Sequence, residues 1–420
     1  MTQYRPLTRL EVGLVFGGDT TQQHVGDMLR TSDGSIYFQY SAEFLATYLP
    51  LSPIALKQQP TAQGPGPQIF SGLYGVFADS LPDGWGLLLM SRTLRKAGID
   101  YSSISPLDRL AFVGRSGMGA LIYHPSYADS AFTHIEGHVD LLQVARDSRD
   151  IIAGAGTDLF PLLAQLGGTA GGARPKVLVG IGTDDKLGLV MAGADELPSG
   201  YEHWIVKFRG KDERPDAGIV EWAYAQTAAR IGLTMSATRL FSGGDAPWFG
   251  TKRFDRLDGG RRLHLHTLAG LLHADFRAPS VDYEILLQAV LKLTRRQDDL
   301  ESAYRLAVFN VTFHNRDDHA KNFSFVLDQS GSWRFAPAYD LTFNRGPGGE
   351  HSTAVAGEGK NPGLDDLLRL AVTVGIRDSQ ARKIIEEVES GRNILLDLLK
   401  QHGVKKHPVQ EVLSRAKRHR

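Results

Sequence analysis

The chain has 420 residues, 42% of them hydrophobic and 22% charged, and its 47 basic side chains (Lys and Arg) balance 47 acidic ones. That length supports two or three domains around a large core, and the neutral balance excludes a nucleic-acid or membrane binder driven by global charge. There is no cysteine, which excludes disulfides, a thiol nucleophile and cysteine zinc sites and fits a reducing compartment. The opening "MTQYRPLTRLEVGLVFGG" has no apolar stretch of signal-peptide length, and no apolar run elsewhere matches a bilayer. A cytoplasmic protein without membrane contact is expected.

In chain order, "SIYFQYSAEF" (Ser35 to Phe44) is strand-like and rich in aromatics, and "PTAQGPGPQ" (Pro60 to Gln68) is a turn-rich loop. "LPDGWGLLLMSRTLRKAG" reads as a loop entering a helix, with Asp83 as N-cap and Gly98 as stop. From about Asp140, "DLFPLLAQL" reads as a helix that runs into the glycine loop "GGTAGGARPK", Gly167 to Lys176. "KVLVGIGTDDKLGLVMAG" reads as a hairpin, "HWIVKFRG" as a strand carrying Lys207, "GIVEWAYAQTAARIGL" as an amphipathic helix and "WFGTKRFDR" as a further strand. Beyond Leu257 helices dominate: "VDYEILLQAVLKLT", "DDLESAYRLAVFNVTF", "GLDDLLRLAVTVG" and "SQARKIIEEVESGRNILLDLLKQHG" all place apolar residues at helical spacing. No internal repeat or long low-complexity segment interrupts the pattern.

Phosphoryl transfer asks a protein for backbone N–H groups around phosphates, a cation to grip them, oxygen ligands for Mg²⁺ and a carboxylate at the incoming hydroxyl. The glycine loop can bend sharply and bring its backbone close to an anion; taken alone, such a cluster is more often just a turn. Lys207 lies between apolar neighbours in "WIVKF", where an unpaired buried ammonium is costly. Phosphate oxygens or Glu221 on the next helix would supply its partner; the alternative is an edge-strand lysine with its tip in water. "DDHAKNFSF" is more specific. Asp317 and Asn322 have the D-x-x-x-x-N spacing of kinase catalytic loops, in which the Asp accepts the substrate proton and the Asn carbonyl binds metal. The hairpin "FSFVL-DQSG-SWRFA" then returns Asp340 to the same cleft as a second metal carboxylate. Loop acids capping helices are the bland alternative for any single Asp.

These segments resemble those of HipA-type serine/threonine kinases, the toxin halves of bacterial HipBA toxin–antitoxin modules. "DDHAKNFSF" and "PAYDLT" resemble the catalytic and metal-binding segments, "GGARPK" the end of the glycine-rich loop, "KRFDR" the lobe junction and "FADSLPDGWG" the amino-terminal subdomain. The resemblance spans nearly the whole chain. It implies Asp317 as catalytic aspartate, Asn322 and Asp340 as Mg²⁺ ligands, and Lys207 as the phosphate-binding lysine, paired by Glu221. Thr169, Ala170, Gly171, Gly172 and Ala173 in the glycine loop, Lys252 and Phe254 at the junction, and His319 and Lys321 in the catalytic loop would contact ATP. Thr169 matches the residue that family members autophosphorylate, although serine is the common residue there. Lys252 stands where an acidic residue is familiar, which leaves only its backbone for adenine. The resemblance further implies a protein substrate, with an aminoacyl-tRNA synthetase as the suggested target, and a small DNA-binding HipB-like antitoxin that supplies any contact with DNA.

The fold expected is α+β and two-lobed, protein-kinase-like, with an extra N-terminal mixed subdomain (1–125), an N-lobe with the glycine loop (126–256) and a mostly helical C-lobe (257–420). Two rivals stand beside the kinase. A small-molecule phosphotransferase of the aminoglycoside- or choline-kinase type uses a similar His-to-Asp loop, and His314 precedes Asp317 at nearly that distance. A catalytically silent pseudokinase scaffold would not need the full set of residues. His264, His266 and His273 in "HLHTLAGLLH" lack an acidic partner at ligand spacing and read as surface or cleft histidines rather than a zinc site. The basic "RAKRHR" end reads as a solvated tail, and "DELPSG" as a loop.

Overall fold

A computed structural model of the chain describes residues 6–17, 22–96, 98–127, 138–154, 160–167, 171–183, 190–192, 197–242, 244 and 246–416. The first sheet is antiparallel, in the order β3-β2-β1-β4, from β1 (Arg9–Val15), β2 (Gln22–Arg30), β3 (Ile36–Tyr40) and β4 (Leu121–His124). Its inward side chains alternate as a half-buried sheet requires: Leu10, Val12 and Leu14 of β1 are fully buried. Ser35 to Phe44 is not one strand. β3 stops at Tyr40 and Ser41 caps a short helix, Ala42–Leu45, by accepting from the Phe44 amide.

The second sheet is antiparallel and five-stranded, in the order β6-β5-β7-β9-β8. It comprises β5 (Lys176–Gly182), β6 (Val190–Ala192), β7 (Tyr201–Lys207), β8 (Thr238–Phe241) and β9 (Trp248–Lys252). The helix Ala217–Arg230 packs on it, and close approach there is allowed by Gly218, whose added Cβ would stand 2.5 Å from the Pro247 carbonyl. Lys207 is therefore on a central strand and buried, which removes the edge-strand alternative.

The expected strand "WFGTKRFDR" ends at Lys252. Its remainder turns inward to make a buried ionic knot instead. Asp255 takes Arg253 at 2.7 Å, Arg256 at 2.8 Å and the Gly119 amide at 2.7 Å. Burial alone would push the Asp255 carboxyl up, but the two guanidiniums hold it well below the usual range. Arg256 also donates to the carbonyls of Gly117 and Gly119, so the junction between lobes is fastened to the first unit.

The rest is mostly helical, around the helices Tyr283–Thr294, Gln297–Phe313, Leu364–Thr373 and Asp378–Gln401. A small sheet of β10 (His264–Thr267), β12 (Ser324–Leu327) and β13 (Trp333–Phe335) is antiparallel, and β11 (Val281–Asp282) pairs in parallel with β14 (Thr353–Ala354). One large core runs from the first sheet into these helices; a second lies under the five-stranded sheet and includes Trp85 and Leu89 from the helix Gly84–Lys96.

His264 and His266 are fully buried, not surface or cleft residues. His266 bridges Asp79 (Nδ1, 2.7 Å) and Ser52 (Nε2, 2.9 Å) of the first unit, and His264 Nε2 meets the Leu51 carbonyl at 3.0 Å. His273 is half-buried and accepts from the Gly75 amide at 3.1 Å. The "HLHT" segment thus fastens the first unit to the helical lobe. No described helix is long and apolar enough to cross a membrane.

Candidate active site

The catalytic-loop segment hangs from the C-terminus of the Gln297–Phe313 helix. His314 ends that helix in the left-handed conformation (φ 53°), and the Asn315 amide closes back on the Asn310 carbonyl at 3.0 Å. Burial pushes the His314 imidazole down to about 4, so at neutral pH it is an uncharged helix terminator. A single 3₁₀ turn, Ala320–Asn322, then leads into β12.

Asp317 and Asp318 are neighbours with opposite surroundings. Asp318 is fully buried and accepts from the Tyr283 hydroxyl (2.7 Å), His351 Nδ1 (2.8 Å) and the Ser352 amide (2.8 Å). Tyr283 in turn accepts from Asn310 at 2.8 Å. Asp318 is thus a strut holding the chain after Asp340 against the loop. Asp317 is half-buried, and its carboxylate takes no hydrogen bond from a described residue. Burial, then the Asp340 charge against an opposing His319, raises its carboxyl above the ordinary range. The structure thereby separates an acid that no described residue hydrogen-bonds from a structural one, which spacing alone leaves ambiguous.

Asn322 donates its Nδ2 to the Asp317 carbonyl at 2.6 Å, which fixes the amide so that its oxygen is the end left for a ligand. Asp340 has φ 56°, an uncommon conformation for a residue other than glycine. Its Oδ1 meets Lys207 Nζ at 2.5 Å, and the same ammonium meets Glu221 Oε1 at 2.6 Å. Burial opposes charge on Lys207, but Asp340 and then Glu221 outweigh it and raise its pKa; Lys207 in return holds Asp340 far below the carboxylate range. Glu221 also takes Arg174 Nη1 at 2.5 Å, and Arg174 Nε lies 3.0 Å from Glu213. Arg174 is therefore engaged by two glutamates.

Gly171, Gly172 and Ala173 lie beside these groups; Thr169 and Ala170 are outside the described residues. Lys176, cross-strand partner of Lys207, donates to the Gly171 carbonyl, and burial together with Lys207 pushes it down to about 8. Lys321 pairs with Asp83 at 2.8 Å and lies 4.3 Å from the Phe276 ring centroid. His319 Nδ1 is buried without a hydrogen-bond partner among the described residues. At the junction, the Lys252 amide donates to the Ala237 carbonyl at 2.8 Å and its ammonium meets Glu202 at 2.8 Å. The Lys252 N–H is therefore spent inside the sheet, while Phe254 is half-buried against Tyr339, ring centroids 5.9 Å apart.

Asp83, Lys176 and Asp318 were not picked out as site residues by pattern. Asp83 reads as an N-cap, but its carboxylate is turned to the Gly172 amide and Lys321; the only hint in the sequence is that it lies in the "FADSLPDGWG" segment.

Two family models match the chain: "HipA N-terminal domain" over residues 19–124 and "HipA-like C-terminal domain" over residues 168–393, the latter alone more than half the chain. Among solved structures, HipA of the Shewanella oneidensis MR-1 toxin–antitoxin system, solved with HipB and its operator DNA, shares the fold. It has a TM-score of 0.70 and 15% identity, with 97% of each chain covered. The Helicobacter pylori proinflammatory kinase CtkA overlaps 52% of this chain and 91% of its own, at 14% identity and a TM-score of 0.32, too distant to carry an argument. With both domain matches in their proper order and a near-full-length likeness in fold, this chain belongs to the HipA family.

Proposed function

We propose that the chain is an ATP- and Mg²⁺-dependent serine/threonine protein kinase, the toxin half of a toxin–antitoxin pair. The observation that carries this reading is Lys207 held between Glu221 and Asp340, beside a carboxylate, Asp317, that no described residue hydrogen-bonds. The donor set fits a metal–nucleotide pair. Asn322 and Asp340 offer the hard oxygen ligands that Mg²⁺ prefers, one or two per site with phosphates and water completing the shell. The unpartnered His319 Nδ1 is a buried polar atom in want of a ligand. Mg²⁺ held by Asn322 and Asp340 would neutralise phosphate charge.

Asp317 accepts the proton of a substrate serine or threonine as its oxygen attacks the γ-phosphorus; the bond to the β–γ bridging oxygen breaks and ADP leaves. Lys207, set by Glu221, grips the phosphates, and the amides of Gly171 and Ala173 face them, the Gly172 amide being given to Asp83. Nothing in the site favours the small-molecule phosphotransferase, since His314 ends a helix rather than facing the loop's acids. Titration with ATP in the presence and absence of Mg²⁺ separates the kinase from a silent scaffold. Incubation with labelled ATP in lysate, then identification of the labelled protein, tests the activity and names the substrate; an aminoacyl-tRNA synthetase is the class the family suggests. No labelled protein, with Asp317→Asn as control, would overturn the reading.

A HipB-like antitoxin is the proposed partner, with DNA reached through it. Thr169 is the proposed autophosphorylation site. A phosphate there adds about −1.5 to −2 charge to the glycine loop, and Arg174, five positions on, is already engaged by Glu213 and Glu221. Loss of ATP affinity after phosphorylation, with the site mapped by mass spectrometry, is the expected outcome.

A further inference from the structure

Asp83, Gly84 and Trp85 belong to the first unit of the chain, yet their contacts lie in the phosphate region. Gly172 is gripped on both sides of its residue: its N–H donates to Asp83 Oδ1, and its carbonyl accepts from the Trp85 amide at 3.0 Å. The Trp85 indole donates to the Lys176 carbonyl at 2.9 Å. Gly84 has φ 45°, and an added Cβ would stand 2.5 Å from the Gly172 carbonyl oxygen. Backbone meets backbone here, and a side chain would part them. Trp85 is buried in the core beneath the five-stranded sheet, so the grip is anchored from below.

The second oxygen of Asp83 does something different. It meets Lys321 Nζ at 2.8 Å, in the catalytic loop one residue before Asn322. One carboxylate therefore joins the glycine-rich loop of one lobe to the catalytic loop of the other. Burial raises the Asp83 carboxyl, but Lys321 and then the Gly172 amide outweigh it, and the group stays ionised with a pKa below the ordinary range.

We infer that Asp83 is a positioning residue for phosphoryl transfer: from the first unit it sets the glycine-rich loop and the catalytic loop at their working separation, through the Gly172 amide and the Lys321 ammonium. The inference rests on the kinase reading. Phosphoryl transfer depends almost wholly on placement and charge, and a misplacement of about 1 Å can cost on the order of a hundredfold. The first unit is then part of the active site rather than an appendage.

The test uses the full chain and Asp83→Asn, which keeps an oxygen for the Gly172 amide but loses the charge that holds Lys321. kcat should fall roughly ten- to a hundredfold, with a smaller change in the KM for ATP and an unchanged melting temperature. Asp83→Glu should recover part of the loss. The double variant with Lys321→Met should be no slower than Lys321→Met alone, because both break one pair. The inference is overturned if Asp83→Asn transfers phosphate at the wild-type rate, if its loss merely tracks the unfolded fraction, or if the double variant is additive. Should Asp83→Asn not fold, Lys321→Met decides it: a kcat equal to wild type, with the Asp83–Lys321 pair removed, would sink the proposal. A wild-type chain that neither binds ATP nor transfers phosphate would instead remove the kinase reading, and this inference with it.

Discussion

Side by side, residues 317 and 318 make a prediction that separates chemistry from scaffolding. Asp317→Asn should reduce phosphotransfer by about 10²- to 10⁴-fold and leave ATP binding and the melting temperature nearly unchanged, since the Asp317 carboxylate holds no described group in place. Asp318→Asn should instead lower stability by about 1–3 kcal/mol, because four donors converge on its buried carboxylate; urea melts measure it. The raised Asp317 carboxyl also fixes the direction of the pH profile. The base works only when deprotonated, so the acid limb of kcat/KM should lie above the pH of an ordinary carboxylate and vanish in Asp317→Asn. A limb at the usual carboxylate value would contradict the assignment.

At the level of elements, the Ala217–Arg230 helix delivers Glu221 to Lys207, and its approach to β9 is set by Gly218. An added Cβ there meets the Pro247 carbonyl at 2.5 Å and the Phe249 amide at 3.2 Å, both backbone atoms that cannot swing away. Gly218→Ala should therefore push the helix off the sheet, cost about 1–3 kcal/mol and lengthen the Lys207–Glu221 pair. ATP affinity should fall with it. Denaturant melts and ATP titration on the same sample report both effects, and a stable variant of unchanged affinity would show that the helix can repack.

Across the molecule, the fastenings of the first unit to the rest include the ionic knot at Asp255, the grip of Asp83, Gly84 and Trp85 on the glycine loop, and the histidines of β10. The last gives the assembly an acid sensitivity whose sign can be worked out. Burial pushes His264 from 6.5 down to about 3. Between those values an unfolded chain takes up a proton that the folded one refuses, so stability is complete above pH 6.5 and falls as pH drops toward 3. One such group contributes at most about 1.4 kcal/mol per pH unit. Chemical denaturation at pH 7, 6 and 5 should show the decline, and His264→Gln should flatten it. An unchanged slope in that variant would place the sensitivity on other groups, such as His203, also pushed down to about 3.

The pairing of Asp317 with Asn322, the lysine strand, the hairpin that returns Asp340 and the long helices were all legible in the sequence, because each is local: a turn, a period, or residues a few positions apart. So was the partner of Lys207, since Glu221 lies one helix away. What only the tertiary structure decided joins residues far apart in the chain. Asp317 and Asp318 are equal as letters, and only the burial of one under Tyr283 and His351 assigns the scaffold role. "KRFDR" alternates well enough for a strand, but its ions are worth more paired against Gly117 and Gly119 than exposed along a sheet edge. "HLHT" is polar by composition and buried in fact, because Asp79, Ser52 and the Leu51 carbonyl satisfy its rings from another unit. Asp83 before a helix looks like a cap; its oxygens found stronger partners in a backbone amide and an ammonium that sequence distance hides. Local pattern fixes which groups a segment can present, and long-range packing fixes which of them is desolvated, paired or left over for a ligand.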